Sequence, residues 1–332
     1  MSADKSDTGS AIVALSNNLA DAVERAGATV VGINARQRMS SSGVHWKQGV
    51  IVTADHTIRR EDEITVTLPD NRTVSATLAG RDASTDLAVL KLEGTDFPVA
   101  VIGDVDSLKV GNLVLALGRS SDRSLTASWG VVSAKGDAWR TWRGGQIDQL
   151  LLPDLTLYPG MDGGPLVDTS GCVVGINTAG LSRRSDVTIP VSTINRVVNQ
   201  LLEAGHIRRG YLGVGMQPVL LPDVLKQQLN LSSGGGAIAV NIEAGGPADK
   251  AGMLLGDVIV TLDDTPINDT YDVLAMLGSE SVGKTMKAQV IRGGALIELT
   301  ITIGEKVRQE GCEGEGRGRG RWRGRWRGDR EE

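Results

Sequence analysis

The sequence predicts a mostly β protein built from two successive β-rich units. The chain of 332 residues contains 43 glycines, and glycine supplies the positive φ angles that corners between strands often require. Short apolar segments alternate with turn signals such as Pro69-Asp70-Asn71. Aromatic residues make up only 3% of the chain, so valine, leucine, isoleucine and alanine must build the cores. Many short strands with glycine-rich corners are typical of barrels and sandwiches.

The first unit is predicted to span residues 11–205, after a flexible N-terminus over residues 1–10. Apolar residues at spacings of three and four predict an amphipathic helix over 11–26, and a second helix over 191–203 closes the unit. The strands predicted between them cover residues 29–33, 49–53, 64–68, 73–78, 87–92, 113–117, 131–134, 172–177 and 187–189.

The second unit is predicted to span residues 210–304, with helices over 247–252 and 270–278. Its predicted strands cover residues 212–217, 237–242, 257–262, 286–292 and 296–303. The tail over residues 313–332 is different, because its arginine–glycine repeats are of low complexity and cannot bury a core. We therefore expect this tail to be disordered.

Composition excludes several classes of protein. The net charge is −5, which argues against a wholly basic nucleic-acid-binding protein. Two cysteines, Cys172 and Cys312, are too few for a disulfide-dense scaffold or the common zinc patterns, and nothing indicates a cofactor. No apolar run approaches the ~20 residues of a membrane span. Residues 1–10 lack the apolar core of a signal peptide, so we expect a cytosolic protein without membrane contact, and a periplasmic one only if the N-terminus is truncated.

Three short segments carry residues typical of catalysis. Ile51-Val-Thr-Ala-Asp-His56 places a histidine at a strand end, and Asp86 directly precedes an apolar strand. Tyr158-Pro-Gly-Met-Asp-Gly-Gly-Pro165 is a glycine-rich loop. Each segment alone is more often structural than catalytic. Their order, however, follows the histidine, aspartate, nucleophile order of chymotrypsin-type proteases.

These segments resemble those of the HtrA/Deg family over roughly residues 11–304. The family's Asp-Leu-Ala segment matches Asp86-Leu-Ala88, and its Gly-Asn-Ser-Gly-Gly-Pro-Leu loop matches Gly160-Met-Asp-Gly-Gly-Pro-Leu166. The resemblance implies a trypsin-like double β-barrel followed by a PDZ domain. It also implies that His56 and Asp86 are members of a catalytic triad, and that the backbone N–H groups of Gly160 and Asp162 form an oxyanion hole.

One departure from the family pattern bears directly on activity. The resemblance places Asp162 at the position of the nucleophilic serine, where a triad needs a hydroxyl proton that passes to histidine. A carboxylate, with a reference pKa of about 3.9, is ionised near neutral pH and has no such proton. His56 would also lie between two carboxylates, which favours the imidazolium form. Neither Ser133 nor Ser170 is placed in sequence to replace the missing hydroxyl.

The second unit contains residues that resemble the carboxylate-binding loop of the family's PDZ domain. Tyr211-Leu212-Gly213-Val214 would hold a terminal carboxylate on successive backbone N–H groups, and the following strand would pair with the peptide. The expected partners are polypeptide C-termini or unfolded protein. The family commonly forms trimers through N-terminal aromatic residues, and no aromatic residue precedes Trp46, so a homo-oligomer is an open expectation.

Three functions remain open from the sequence, and with them the question of whether the chain is an enzyme. The first is a peptide-binding protease homologue that has lost its activity. The second is an active serine endopeptidase of the HtrA/Deg family, acting in protein quality control. The third is a nucleic-acid-associated adaptor that uses Trp322, Trp326 and the arginines of its tail. The six arginines within residues 317–327 are few for tight binding, so nucleic acid is the least favoured partner.

Overall fold

A computed structural model describes residues 4–36, 39–94, 96–119, 125–182 and 186–305. Strands contribute more residues than helices, which confirms the predicted mostly β fold. The strands of the first unit are Val30–Asn34 (β1), Ser41–Lys47 (β2), Val50–Ala54 (β3), Ile64–Thr67 (β4), Thr73–Asp82 (β5), Leu87–Leu92 (β6), Leu113–Arg119 (β7), Leu125–Gly136 (β8), Trp139–Arg140 (β9), Gln146–Ile147 (β10), Leu150–Asp154 (β11), Pro165–Val167 (β12), Val173–Thr178 (β13) and Val187–Pro190 (β14).

Two six-stranded β structures make up most of this unit. The first six strands close into a barrel in the order β1-β2-β3-β6-β5-β4, which leaves no open strand edge. The other six-stranded sheet has the order β11-β8-β7-β12-β13-β14, and its outer strands β11 and β14 contact each other. The loops that follow β3 and precede β6 and β12 carry the candidate site residues.

Two helices flank the barrels. The amphipathic pattern of α2 (Val191–Ala204) buries one face, including Ile194, Val198 and Leu201, and its bounds agree with the predicted 191–203. Helix α1 (Asp4–Gly27) begins earlier than the predicted 11–26, and the flexibility expected for residues 1–10 stays a prediction. Helical hydrogen bonds are local, so a polar segment extends a helix without burying anything.

Strand β2 was not predicted from the sequence. Its residues, Ser-Ser-Gly-Val-His-Trp-Lys, show no apolar alternation, yet all but the last are buried. The barrel supplies their hydrogen bonds: Ser41 Oγ donates to Thr57 Oγ1 at 3.0 Å, Ser42 Oγ donates to Gly160 O at 2.7 Å, and His45 Nδ1 lies 2.9 Å from Pro98 O. Buried polar groups need such partners, and these come from distant parts of the chain.

The second unit is a five-stranded antiparallel sheet with three short helices. Its sheet has the order β16-β17-β18-β20-β21, β19 pairs with β18, and β15 pairs with β22. Helix α3 was not predicted from the sequence, although it follows Pro222 and ends at Asn230, both ordinary boundary signals. The elements are Gly210–Tyr211 (β15), Val214–Leu220 (β16), Asp223–Leu229 (α3), Gly235–Ile242 (β17), Pro247–Lys250 (α4), Val258–Leu262 (β18), Thr265–Pro266 (β19), Thr270–Met276 (α5), Thr285–Arg292 (β20), Ala295–Thr302 (β21) and Gly304–Glu305 (β22).

Each unit has its own apolar core. One cluster of buried aliphatic side chains fills the first barrel, and a larger cluster joins other residues of that barrel to the second sheet, α1 and α2. A third cluster, which includes Ile259, Val273 and Ile301, holds α5 against the sheet of the second unit. In the part of the chain that the structure describes, no helix is both long and apolar enough to cross a membrane.

Candidate active site and peptide groove

The first barrel brings His56 and Asp86 together. Ala54 at the end of β3 pairs with Leu87 at the start of β6, so the residues just beyond each strand become neighbours. The His56 backbone N–H donates to Asp86 Oδ1 at 2.8 Å, and His56 Nδ1 lies 2.8 Å from Asp86 Oδ2. The Asp86 side chain is only 2% exposed. These two contacts fix the imidazole and direct its Nε2 away from Asp86.

The loop before β12 places a second carboxylate beside the other ring nitrogen of His56. Asp162 Oδ2 lies 3.9 Å from His56 Nε2, which is an ion-pair distance rather than a hydrogen bond. The Ala179 N–H donates to Asp162 Oδ1 at 3.0 Å. The Asp162 carbonyl accepts from the Ser42 N–H at 2.9 Å, which anchors the loop to the first barrel. The two barrels thus supply the two carboxylates that flank His56.

Charge at this site is set by burial and by the two carboxylates. Burial of His56 disfavours its protonated form, but Asp162 and Asp86 outweigh burial and raise the pKa of His56 to about 9. Burial alone would raise the pKa of Asp162, whereas His56 and the Ala179 N–H lower it below its ordinary value. At neutral pH His56 is therefore a cation and Asp162 is an anion.

A titration tests this ion pair. We expect the His56 ring resonances to titrate by NMR with a midpoint near 9, and we expect Asp162→Asn to lower that midpoint because one anion is removed. A His56→Gln variant assigns the resonances. A wild-type midpoint at or below the ordinary value of about 6.5 would contradict the ion pair.

The same ion pair makes stability depend on pH. Folding raises the pKa of His56 from 6.5 to about 9, so the stabilisation is fully present below pH 6.5 and is lost as pH rises through 9. The melting temperature of wild type should exceed that of Asp162→Asn by on the order of 2–4 °C near pH 6. The difference should shrink towards pH 9.5, and a pH-independent difference would contradict the assignment.

Residues 178–180 complete the site and were missed in the sequence. The Thr178 hydroxyl donates a short hydrogen bond to Asp86 Oδ2 across a separation of 92 residues. A side chain at Gly180 would place its Cβ 2.5 Å from Asp86 Oδ2 and 2.8 Å from His56 Nδ1, so no side chain fits there without displacing this pair. No local pattern marks these residues, because their partners lie far away along the chain.

The predicted oxyanion-hole residues lie in the turn that leads into β12. Gly160 has a φ of 98°, and its carbonyl accepts from Ser42 Oγ at 2.7 Å. Among the described residues, the backbone N–H groups of Gly160 and Asp162 have no acceptor. Their role in holding an oxyanion stays a prediction. Ser133 lies in β8 and donates to the Leu152 carbonyl at 3.0 Å.

The second unit has an open groove between β16 and α5. β16 is an edge strand, paired with β17 on one side only among the described residues. Tyr211, in β15, donates a short hydrogen bond to Glu243. The Leu212 and Gly213 carbonyls accept from Ala248 and Glu243, while their own N–H groups have no acceptor in the described ranges. This arrangement leaves backbone donors and a strand edge free for an extended peptide.

Two of the features noted in the sequence lie outside the described residues. They are Cys312 and the arginine–glycine tail over 313–332, which includes Trp322 and Trp326. The suggestion of nucleic-acid binding through this tail therefore stays a prediction.

The chain is similar to known proteases with peptide-binding domains. Residues 41–176 match the trypsin-like peptidase domain and residues 210–303 match the PDZ domain. A probable periplasmic serine endoprotease DegP-like protein of Hahella chejuensis is 36% identical over 279 residues. A second protein of that name, from Pseudomonas savastanoi, is also 36% identical over 273 residues. The alignments cover 82% and 81% of this chain but only 58% and 56% of these relatives.

These names correct one expectation. The relatives are called periplasmic, so the expectation of a cytosolic protein is wrong. That expectation depended only on the polar composition of residues 1–10, which is weak support for a cellular location compared with a relationship over most of the chain.

Solved structures give the same result. A serine endoprotease from Yersinia pestis has a TM-score of 0.69 and 30% identity, with 86% of this chain and 96% of that chain covered. The HtrA-type protease AlgW with a tripeptide has a TM-score of 0.69 and 30% identity, with 87% and 97% covered. This chain therefore belongs to the HtrA/DegP family, whose members combine a trypsin-like peptidase domain with a PDZ domain.

Proposed function

We propose that this chain binds polypeptide C-termini through its PDZ domain and does not hydrolyse peptide bonds at His56. The observation that carries this proposal is the Asp162 carboxylate, 3.9 Å from His56 Nε2. Asp162 stands at the third position of the segment that aligns with the family's Gly-Asn-Ser-Gly-Gly-Pro-Leu loop. In an active member, the serine hydroxyl belongs at that position.

The chemistry of a serine triad cannot run with these groups. The nucleophilic hydroxyl must give its proton to neutral histidine while its oxygen attacks the carbonyl carbon. Asp162 is ionised and carries no proton, and His56, with a pKa of about 9, is already protonated at neutral pH. A carboxylate is also a poor nucleophile towards an amide, because attack would give a reactive anhydride. The site thus lacks both the nucleophile and the base.

The competing function is an active endopeptidase, which the names of the relatives favour. An assay of casein and fluorogenic-peptide cleavage, with His56→Ala as the matched control, separates the two functions. We expect wild type and His56→Ala to show the same background rate. Cleavage by wild type that His56→Ala abolishes would overturn the proposed inactivity. The names of the relatives also favour a periplasmic location.

Peptide binding uses groups that Asp162 does not touch. The free N–H groups at Leu212 and Gly213 match a terminal carboxylate, and the open edge of β16 matches an extended backbone. The solved AlgW structures, described as complexes with a decapeptide and a tripeptide, support this use of the fold. The terminal residue should be apolar, since Val214, Met216 and Leu277 line the groove.

A free terminal carboxylate should be required for this binding. We expect amidation of a peptide's C-terminus to weaken binding by about 1.5–3 kcal/mol, because hydrogen bonds to a charged group are lost. Isothermal titration calorimetry with the full chain and a library of C-terminal peptides measures this difference. Equal affinity for amidated and free peptides, or no binding of any peptide, would contradict the binding half of the proposal.

A further inference from the structure

A cavity of about 530 Å³ lies between the two units and includes the peptide groove. One wall is apolar and belongs to the second unit, where Val214 and Met216 of β16 face Leu274 and Leu277. Among the other residues that line the cavity, arginines outnumber acidic residues. Five arginines line the cavity against two acidic residues, although the whole chain has a net charge of −5. The lining charged residues are Arg140, Arg143, Arg196, Arg208, Arg209, Asp82 and Glu280.

Three of the five arginines have carboxylate partners. Arg209 Nη2 lies 3.1 Å from Asp82 Oδ1, and Arg196 Nη2 lies 2.9 Å from Asp148 Oδ1. Arg208 Nε lies 3.6 Å from an oxygen of Glu305. These ion pairs neutralise part of the positive charge.

Arg140 and Arg143 have no carboxylate within 4.0 Å among the described residues. Arg140 Nη2 donates to the carbonyl of Ala275 at 3.1 Å, in the last turn of α5. Arg143 Nη1 donates to the Ala83 carbonyl at 3.1 Å, and its guanidinium lies 4.5 Å from the centre of the Trp142 ring. Both guanidiniums are thus held by neutral groups and keep their full charge, and that of Arg140 contacts the groove helix itself.

Arg140 lies near two other positively charged side chains, Arg209 and Arg196. Burial lowers the pKa of Arg140, and repulsion by Arg209 and Arg196 lowers it further, while attraction by Glu280 opposes part of this lowering. An anion entering the cavity would relieve this repulsion. A cleft lined by one sign of charge also raises the local concentration of oppositely charged ligands.

The geometry of a bound strand determines which ligand residues meet these arginines. Side chains of an extended peptide alternate between its two faces. The terminal apolar residue packs against the apolar wall, together with the third residue from the end. The penultimate and fourth residues therefore point away from the apolar wall. Arg140 and Arg143 line the same cavity and belong to the first unit rather than to that wall.

We propose that Arg140 and Arg143 select peptides with aspartate or glutamate at the penultimate and fourth positions from a free, apolar C-terminus. The inference rests on the proposed binding of C-termini and adds the chemical class of the partner. A carboxylate at either position would form the charge-assisted hydrogen bonds that these two guanidiniums lack.

Calorimetry with four eight-residue peptides tests the inference. All end in valine. Three have a free terminal carboxylate and carry glutamate at positions two and four from the end, at positions three and five, or at none of these. The fourth carries glutamate at positions two and four and has an amidated terminus. In 50 mM salt we expect the first to bind about 5- to 20-fold more tightly than the neutral peptide, the range for one or two partly buried ion pairs. The gain should shrink in 500 mM salt, where charges are screened.

Matched variants test whether Arg140 and Arg143 cause the higher affinity for the acidic peptide. Arg140→Gln and Arg143→Gln each remove one charge, and glutamine can still donate a hydrogen bond to the neighbouring carbonyl. Arg72→Gln removes the same charge from an exposed arginine of the first barrel that pairs with Asp70. We expect the first two variants to lose most of the gain for the acidic peptide while keeping the affinity for the neutral one. Arg72→Gln should keep both.

The outcomes separate this inference from the proposed function. If the neutral peptide binds and the acidic peptide gains nothing, the acidic preference is wrong and C-terminal binding stands. If both Arg140→Gln and Arg143→Gln still bind the acidic peptide more tightly than the neutral one, these arginines do not select it and the inference is wrong. The inference is also wrong if glutamate at positions three and five raises the affinity equally. If no peptide with a free carboxylate binds, both proposals fail.

Discussion

Replacing Asp162 with serine should give the chain measurable peptidase activity. The substitution supplies the missing hydroxyl and removes one of the two anions that hold His56 protonated. The His56 contacts with Asp86, and the Thr178 bond to Asp86, do not involve residue 162, so the base and its orienting carboxylate remain in place. Loss of a triad nucleophile costs about 10⁶ in turnover, which sets the upper limit of the gain.

The control for this experiment is Asp162→Ala, which removes the same anion without supplying a nucleophile. We expect Asp162→Ser to cleave a fluorogenic peptide at least about a hundredfold faster than Asp162→Ala, a small part of that limit. Adding His56→Ala to Asp162→Ser should abolish the gain. A folded Asp162→Ser protein no faster than Asp162→Ala would show that loss of the hydroxyl is not the only defect of the cleft.

The second large effect is expected in the PDZ domain, where Gly213→Val should strongly weaken peptide binding. Gly213 has a φ of 75°, a conformation that costs a β-branched residue on the order of 1–3 kcal/mol. To relieve the strain, the loop must turn its backbone, and the N–H groups that face the peptide turn with it. The charged hydrogen bonds lost in this way are worth about 1.5–3 kcal/mol, which is a loss of affinity of about 10- to 150-fold.

Gly294→Val is a matched control for strain. Gly294 has a φ of 84° and lies in the turn between β20 and β21, where an added Cβ meets no atom within 4 Å. Both variants should lose similar stability in urea unfolding, but only Gly213→Val should lose peptide binding in calorimetry. Equal binding by the two variants would show that the Gly213 backbone does not hold the ligand.

Local sequence patterns predicted much of the fold and the three site residues His56, Asp86 and Asp162. The apolar strand directly after Asp86 and the glycine-rich loop around Asp162 are short-range signals. The order of His56, Asp86 and Asp162 along the chain predicted that they lie close together. Helix α2 was predictable because its apolar stripe is a property of fourteen consecutive residues.

The remaining parts depend on contacts between distant segments. The polar residues of β2 become strand residues only because Thr57, Pro98 and Gly160 satisfy them. In the same way, Thr178 and Ala179 acquire their roles from carboxylates that lie far away in sequence. The arginine cavity joins residues of both units, so no single segment of the sequence shows its charge.

The open edge of β16 also has a consequence for solubility. An unpaired strand edge is a template for any extended chain, including the edge of a second copy, and such edges promote aggregation. β16 contains Pro218, which pairs with Ala237 of β17, and a proline in a paired strand is tolerated where its nitrogen faces the open edge. The outer row of donors is therefore interrupted at this residue. A short peptide can pair with the first part of β16. A longer strand added along the whole edge would lose the backbone hydrogen bond at Pro218.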